Sequence, residues 1–216
     1  MKRFWVCTIL PIGIFCALLS FSPLTANADT IGSTVTLKLT GVQGTSYGGD
    51  YVYPYYFSIN GSSTASSLMC ISYDNDIYFG ESWTATITTA STPLQEEAEW
   101  LFNDANAAIA AGNTAKQIAD QWAAWELFST NAQKAIAPAG AATQLALAEA
   151  AYGSEPASFY AGFVIYVPVV GSQPSGDPVP QNLVANAHAP EPGTLVLLGT
   201  GILGLAGFLY LKRRSA

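Results

Sequence analysis

The chain has 216 residues, half of them hydrophobic, and a formal net charge of −7. Residues 29–189 hold three lysines (Lys38, Lys116, Lys134), no arginine and fourteen acidic residues, a formal charge of −11. Such a surface repels nucleic acid and anionic lipid and has no guanidinium fork for phosphate, so nucleic-acid binding is excluded.

The chain opens on a short basic segment, Met1-Lys2-Arg3, followed by the mostly apolar stretch Phe4 to Leu24. Ala26-Asn27-Ala28 then has the small-x-small form of a signal-peptidase site, with Ala26 and Ala28 as the two small residues. Residues 1–28 therefore read as a signal peptide and the mature chain begins at Asp29. Lipoprotein processing at Cys16 is rejected, because bulky Phe15 stands where that pathway needs a small residue. Cys7 and Cys16 leave with the signal, so the exported part keeps only Cys70. No internal disulfide is possible in that oxidising compartment. The remaining thiol is buried and inert, paired with another molecule, or chemically masked.

Residues 29–170 read as one exported domain. Val35, Leu37 and Leu39 alternate with Thr34, Thr36, Lys38 and Thr40, which predicts a strand with one buried face. Gly41 to Asp50 is a glycine-rich loop, and Tyr51 to Phe57 resumes an extended aromatic pattern in which Pro54 favours an edge or a bulge. Asn60-Gly61 predicts a turn, Leu68 to Ile71 a short buried strand, and Trp83, Ala85 and Ile87 a further alternating strand. The period then lengthens. Thr92-Pro93-Leu94-Gln95 combines a capping box with proline at the first helical position, and Leu94, Ala98, Leu101 and Ala105 follow at helical spacing. A second helix is capped around Thr114 and runs to about Phe128, with Ile118, Trp122, Trp125 and Ser129 on one face. A third spans about Ala141 to Tyr152, and Phe159 to Val170 returns to a β pattern. Residues 171–189, with Pro174, Pro178 and Pro180, read as a flexible tether. The fold expected is α+β: an antiparallel β-sheet or sandwich with a three-helix insertion before the last strand, plus one C-terminal transmembrane helix.

That helix is Gly193 to Leu211, an uncharged stretch about 28 Å long at the helical rise, close to the hydrocarbon thickness of a bilayer. It is preceded by Pro190-Glu191-Pro192 and followed by the basic tail Lys212-Arg213-Arg214, which the positive-inside tendency keeps in the cytoplasm. Residues 190–216 resemble the PEP-CTERM sorting signal of exported proteins from Gram-negative bacteria that make extracellular polysaccharide. The resemblance implies an exosortase that recognises Pro190, Glu191 and Pro192, with Arg213 and Arg214 completing the motif, and removes the helix. The alternative is an ordinary tail anchor. The expected partners are signal peptidase and exosortase, the inner membrane, and extracellular polysaccharide.

Chemistry is constrained by what the domain lacks. The single histidine, His188, lies in the tether, so neither a Ser-His-Asp nor a Cys-His arrangement nor a His/Cys zinc site is available, and no cofactor is expected. Asp74-Asn75-Asp76 with Glu81 offers oxygen ligands for calcium, but Tyr78 and Phe79 stand where an EF-hand needs a ligand and a glycine. The segment reads as a solvated acidic turn. Glu96, Glu97 and Glu99 fall in the first turns of a helix and complement its dipole. Carboxylate-based glycosidase chemistry needs only two acids, and nothing in the spacing singles out a pair.

One constellation stands out. Cys70 lies in an apolar, strand-like run, and Gln121-Trp122-Ala123-Ala124-Trp125 lies on a helix. The pair resembles the bacterial surface thioester domain, whose helix carries Gln-x-Ala-Ile-Trp; Gln121, Ala123 and Trp125 match and Ala124 stands for the isoleucine. The resemblance implies that the Cys70 thiol condenses with the Gln121 amide, leaving a buried thioester able to acylate an amine. The plainer reading makes Cys70 a small buried hydrophobe, Gln121 a polar helix residue, and Trp122 and Trp125 core anchors. The function expected is therefore a non-enzymatic, exosortase-sorted surface or extracellular-matrix protein associated with exopolysaccharide and biofilm. A covalent thioester adhesin is the alternative, and a glycan-active hydrolase comes third.

Overall fold

In the computed structural model, which describes residues 30–187, the chain lays down eight strands and five helices. The strands are Thr34–Val42 (β1), Ser46–Tyr47 (β2), Asp50–Tyr51 (β3), Tyr55–Ile59 (β4), Ser66–Cys70 (β5), Ser82–Thr88 (β6), Phe163–Pro168 (β7) and Leu183–Asn186 (β8). The helices, all between β6 and β7, are Pro93–Ala110 (α1), Thr114–Phe128 (α2), Thr130–Lys134 (α3), Ala141–Ala151 (α4) and Ala157–Tyr160 (α5). Six strands close into an antiparallel barrel in the order β1-β4-β5-β8-β7-β6, and β2-β3 forms a separate small hairpin. β1 is paired along both sides, with Leu39 opposite Phe57 of β4 and Leu37 opposite Trp83 of β6. Closure leaves no free edge to recruit another strand.

Two kinds of strand sequence follow from this arrangement. β1, β4 and β6 alternate because only their inner faces are covered: Val35, Leu37, Leu39, Phe57, Trp83 and Ile87 fill the barrel, and Phe57 meets Trp83 edge to face at 5.7 Å. β7, most of β8 and the second half of β5, from Leu68 to Cys70, read as continuous apolar runs because helices cover their outer faces. Met69, Ile71, Phe163, Ile165 and Val184 pack outward into one cluster with Leu101, Phe102 and Ala105 of α1. Phe102, rather than exposed Leu94, anchors that helix; its ring meets Phe163 at 6.0 Å.

The helix ends are set by short side chains. Thr92 accepts from the Gln95 backbone N–H, Pro93 stands at the first helical position, and the Gln95 side chain accepts in return from the Ser91 N–H. For α2 the cap is Asn113, one residue before the expected position, because its Oδ1 accepts from the Lys116 N–H. The Gly41–Asp50 segment, expected as a loop, contains the β2–β3 hairpin. Its two-residue turn puts Gly48 and Gly49 at φ +66° and +106°, a conformation that residues with a Cβ rarely adopt.

The structure corrects the sequence reading at four places. The sheet is a closed barrel rather than an open sheet or sandwich, since β7 and β8 bridge β5 to β6. The helical insertion has five segments and is followed by two strands, not one. Residues 157–160 are helical, and the strand begins only at Phe163. Residues 171–189 are not all tether: Leu183, Val184 and Ala185 are buried in β8, so the compact unit extends to Ala187 rather than ending at 170. Among the described residues no helix is long and apolar enough to cross a membrane; the expected span 193–211 lies outside them.

Candidate functional site

Cys70 ends β5 with its side chain in the interior cluster, while its neighbours Met69 and Ile71 face the helices. Strand alternation dictates this, and α2 packs against β5 so that Trp122 and Trp125 enter the same cluster as Cys70. The thiol is completely buried. Its Sγ lies 3.4 Å from the Trp125 indole nitrogen, which donates to it, and 3.4 Å from the Ser72 backbone nitrogen. Burial pushes the thiol pKa up to about 12, against a weaker opposing pull from those two donors. At neutral pH it is a thiol, protected and unreactive toward solvent oxidants.

Gln121, also fully buried, reaches the same residue from α2. Its Nε2 donates to the Cys70 backbone carbonyl at 2.6 Å, and its Oε1 accepts from the Tyr53 backbone N–H at 3.1 Å. One turn earlier, Gln117 donates to the Tyr53 carbonyl and to Gln43 Oε1 at 3.2 Å. The i, i+4 spacing puts both amides on one helix face, where they clip the segment before β4 to the end of β5. Cys70 and Gln121 are therefore brought together, with the amide on the cysteine's carbonyl and the indole on its sulfur.

The acidic residues are dispersed. Asp74 accepts from Asn131 Nδ2 at 2.7 Å, Asn75 donates to the Pro180 carbonyl at 3.4 Å, and Glu81 accepts from the Tyr78 N–H at 2.9 Å. Each holds a different part of the loop, and among the described residues no group of three or more His, Cys, Asp or Glu side chains is placed to hold a metal ion. Glu99 differs from the dipole partner expected: it is fully buried, and burial together with the charge of Glu96 pushes its pKa up to about 8. Asp120 is likewise buried and raised to about 7; burial dominates, the adjacent Lys116 opposes it, and Asp104 adds to it. Lys116 bridges Asp104 and Asp120, and it also donates to Gln144 at 3.2 Å.

A feature that sequence reasoning missed is a cavity of about 150 Å³ beside the hairpin, lined by Asp50, Tyr55, Tyr73, Asp76, Trp125 and Gln181 among others. Its walls come from four separate parts of the chain, so no local pattern marks it. Tyr73 stacks obliquely on Trp125 at 5.3 Å and on Trp122 at 5.7 Å, forming an aromatic floor over the Cys70 region.

Residues 188–214 match the family described as the PEP-CTERM protein-sorting motif. The chain carries a PEP-CTERM sorting motif. It spans Pro190, Glu191, Pro192, Arg213 and Arg214, and it marks an exported protein that an exosortase processes at the membrane on the way to the cell surface. These five residues, like Ala26 and Ala28, lie outside the described residues. No curated protein and no solved structure matches the chain.

Proposed function

We propose that the barrel domain is a non-enzymatic surface or extracellular-matrix component that associates with exopolysaccharide in a biofilm once an exosortase has released it. The observation that carries this reading is the pairing of the sorting motif with a barrel surface suited to sugars. The outer faces of β1 and β6 carry exposed Thr34 and Thr36 beside half-exposed Thr84 and Thr86, a row of hydroxyls. Beside the hairpin, Tyr51, Tyr78 and Phe79 are exposed, and Tyr51 meets Phe79 edge-on at 6.4 Å. Exposed aromatic faces and hydroxyls both suit polyhydroxylated rings. Co-sedimentation of the full chain, kept in detergent, with polysaccharide from a producing strain tests the reading. Retention that falls in the Tyr78→Ala/Phe79→Ala double variant supports it, and passage of the wild type into the supernatant contradicts it.

The contact between Gln121 and Cys70 favours a second reading, a covalent adhesin with a Cys70–Gln121 thioester. Sulfur would bond to the Gln121 side-chain carbonyl carbon, and the carbon–nitrogen bond would break. The thiol proton would leave with the departing nitrogen as ammonia, so atoms balance without an oxidant. The Tyr53 N–H already points at the oxygen on which negative charge would develop.

A further inference from the structure

α4 packs against α1 and α2 on a thin apolar base. Of its eleven residues only Ala141 and Ala148 are buried, and alanine has little apolar area to bury. A polar tie joins it to α2: Lys116 Nζ donates to Gln144 Oε1 at 3.2 Å, across 28 positions of sequence. The same nitrogen donates to Asp120 Oδ1 and Oδ2 at 3.1 and 3.3 Å and to the Asp104 carboxylate of α1. Helical spacing sets part of this, since Asp120 stands one turn after Lys116. One amine thus meets two acids and a primary carboxamide. Asp120 has no side-chain exposure, and burial, opposed by Lys116 and assisted by Asp104, lifts its pKa to about 7. A carboxyl group of that kind takes up and gives back a proton at neutral pH.

We propose that Lys116 and Gln144 condense into an intramolecular amide cross-link between α2 and α4, with Asp120 carrying the proton. Asp120 takes one proton from the ammonium and leaves a neutral amine. The Gln144 amide turns about its terminal side-chain bond, and the amine nitrogen bonds to its carbonyl carbon. The bond from that carbon to the primary amide nitrogen then breaks. The departing nitrogen takes a second proton from the attacking amine and the one held by Asp120, and leaves as ammonium. Atoms and charge balance without an oxidant. The hydrogen bond already holds amine and amide in contact, so the step is unimolecular and gains a high effective concentration. The exported domain has one thiol and no internal disulfide, and a cross-link over 28 positions restrains the unfolded chain as a disulfide does. The proposal goes beyond the matrix reading and uses no atom of the Cys70–Gln121 pair.

Peptide mapping of the denatured full chain by mass spectrometry tests it. Trypsin should fail to cut after Lys116, and the peptides that hold Lys116 and Gln144 should appear as one linked species, lighter by one ammonia than their sum. Hydroxylamine opens a thioester and leaves an amide, so the linked species should survive it, and it should persist in Cys70→Ala. Lys116→Arg keeps the positive charge but not the nucleophilic amine, and should restore the ammonia and separate the peptides. Asp120→Asn should slow appearance of the linked species in pulse-labelled cells by about a hundredfold, the loss expected for a proton carrier. Complete cleavage after Lys116 with Gln144 in an unlinked peptide of full mass would overturn the proposal. So would formation at the wild-type rate in Asp120→Asn.

Discussion

Gln121 Nε2 donates to the backbone carbonyl of Cys70 at 2.6 Å, tying the middle of α2 to the end of β5 across 51 positions of sequence. Both residues are fully buried, and the other end of the same amide holds the Tyr53 N–H. This amide joins three separate parts of the chain in the interior.

Removing it should therefore be costly. Gln121→Ala leaves the Cys70 carbonyl and the Tyr53 N–H buried without a partner, and we expect a loss of about 2 to 4 kcal/mol, read from urea denaturation. Gln117→Ala, whose partners include the exposed Gln43, should cost less.

The thioester reading makes a separate prediction by intact mass. A domain with the bond is lighter by one ammonia, and Cys70→Ala abolishes that deficit. A full-mass protein whose thiol is alkylated only after denaturation, as burial and the raised pKa require of a free Cys70, returns the residue to its role as a small buried hydrophobe.

β8 supplies a test of the architecture. Leu183 is fully buried and pairs with Tyr166 of β7 and Cys70 of β5. Leu183→Ala should cost about 2 to 5 kcal/mol, the range for truncating a core leucine, whereas a residue in a solvated tether would cost almost nothing.

Stability should fall as pH rises. Glu99 and Asp120 have folded-state pKa values raised to about 8 and about 7, from ordinary values of 4.5 and 3.8. Between those limits the folded state binds more protons than the unfolded state, so the denaturation midpoint should be highest near pH 4 to 5 and decline toward pH 8. Glu99→Gln, which keeps the shape and removes the ionisation, should flatten that decline and raise the midpoint at pH 8.

Much of the framework could be read locally. The alternation in β1 and β6 and the cap residues of α1 and α2 are short-range signals, and they place those elements to within a residue or two. Barrel closure was not legible, because it depends on β8 pairing with β5, more than a hundred residues away. β8 itself was hidden: Leu183-Val184-Ala185 is too short to show a period and sits just after Pro178 and Pro180, which read as linker. The pairing of Cys70 with Gln121 was suggested by the resemblance to a thioester domain, and no local pattern in the sequence shows that they meet. The cavity was not, since Asp50, Tyr73, Trp125 and Gln181 converge only through the tertiary fold. Glu99 was misread because helical position shows the dipole and not the neighbouring elements that bury it.

Release of the barrel from the membrane and its delivery to polysaccharide are the central steps of the proposed function. The most direct measurement is mass spectrometry of the chain in matrix and inner-membrane fractions, comparing a producing strain with one lacking its exosortase. The predicted result is a chain cut near Pro190-Glu191-Pro192, without residues 193–211, co-purifying with polysaccharide in the first strain, and an uncut membrane-held chain in the second. An uncut chain in the inner membrane of both strains would contradict it.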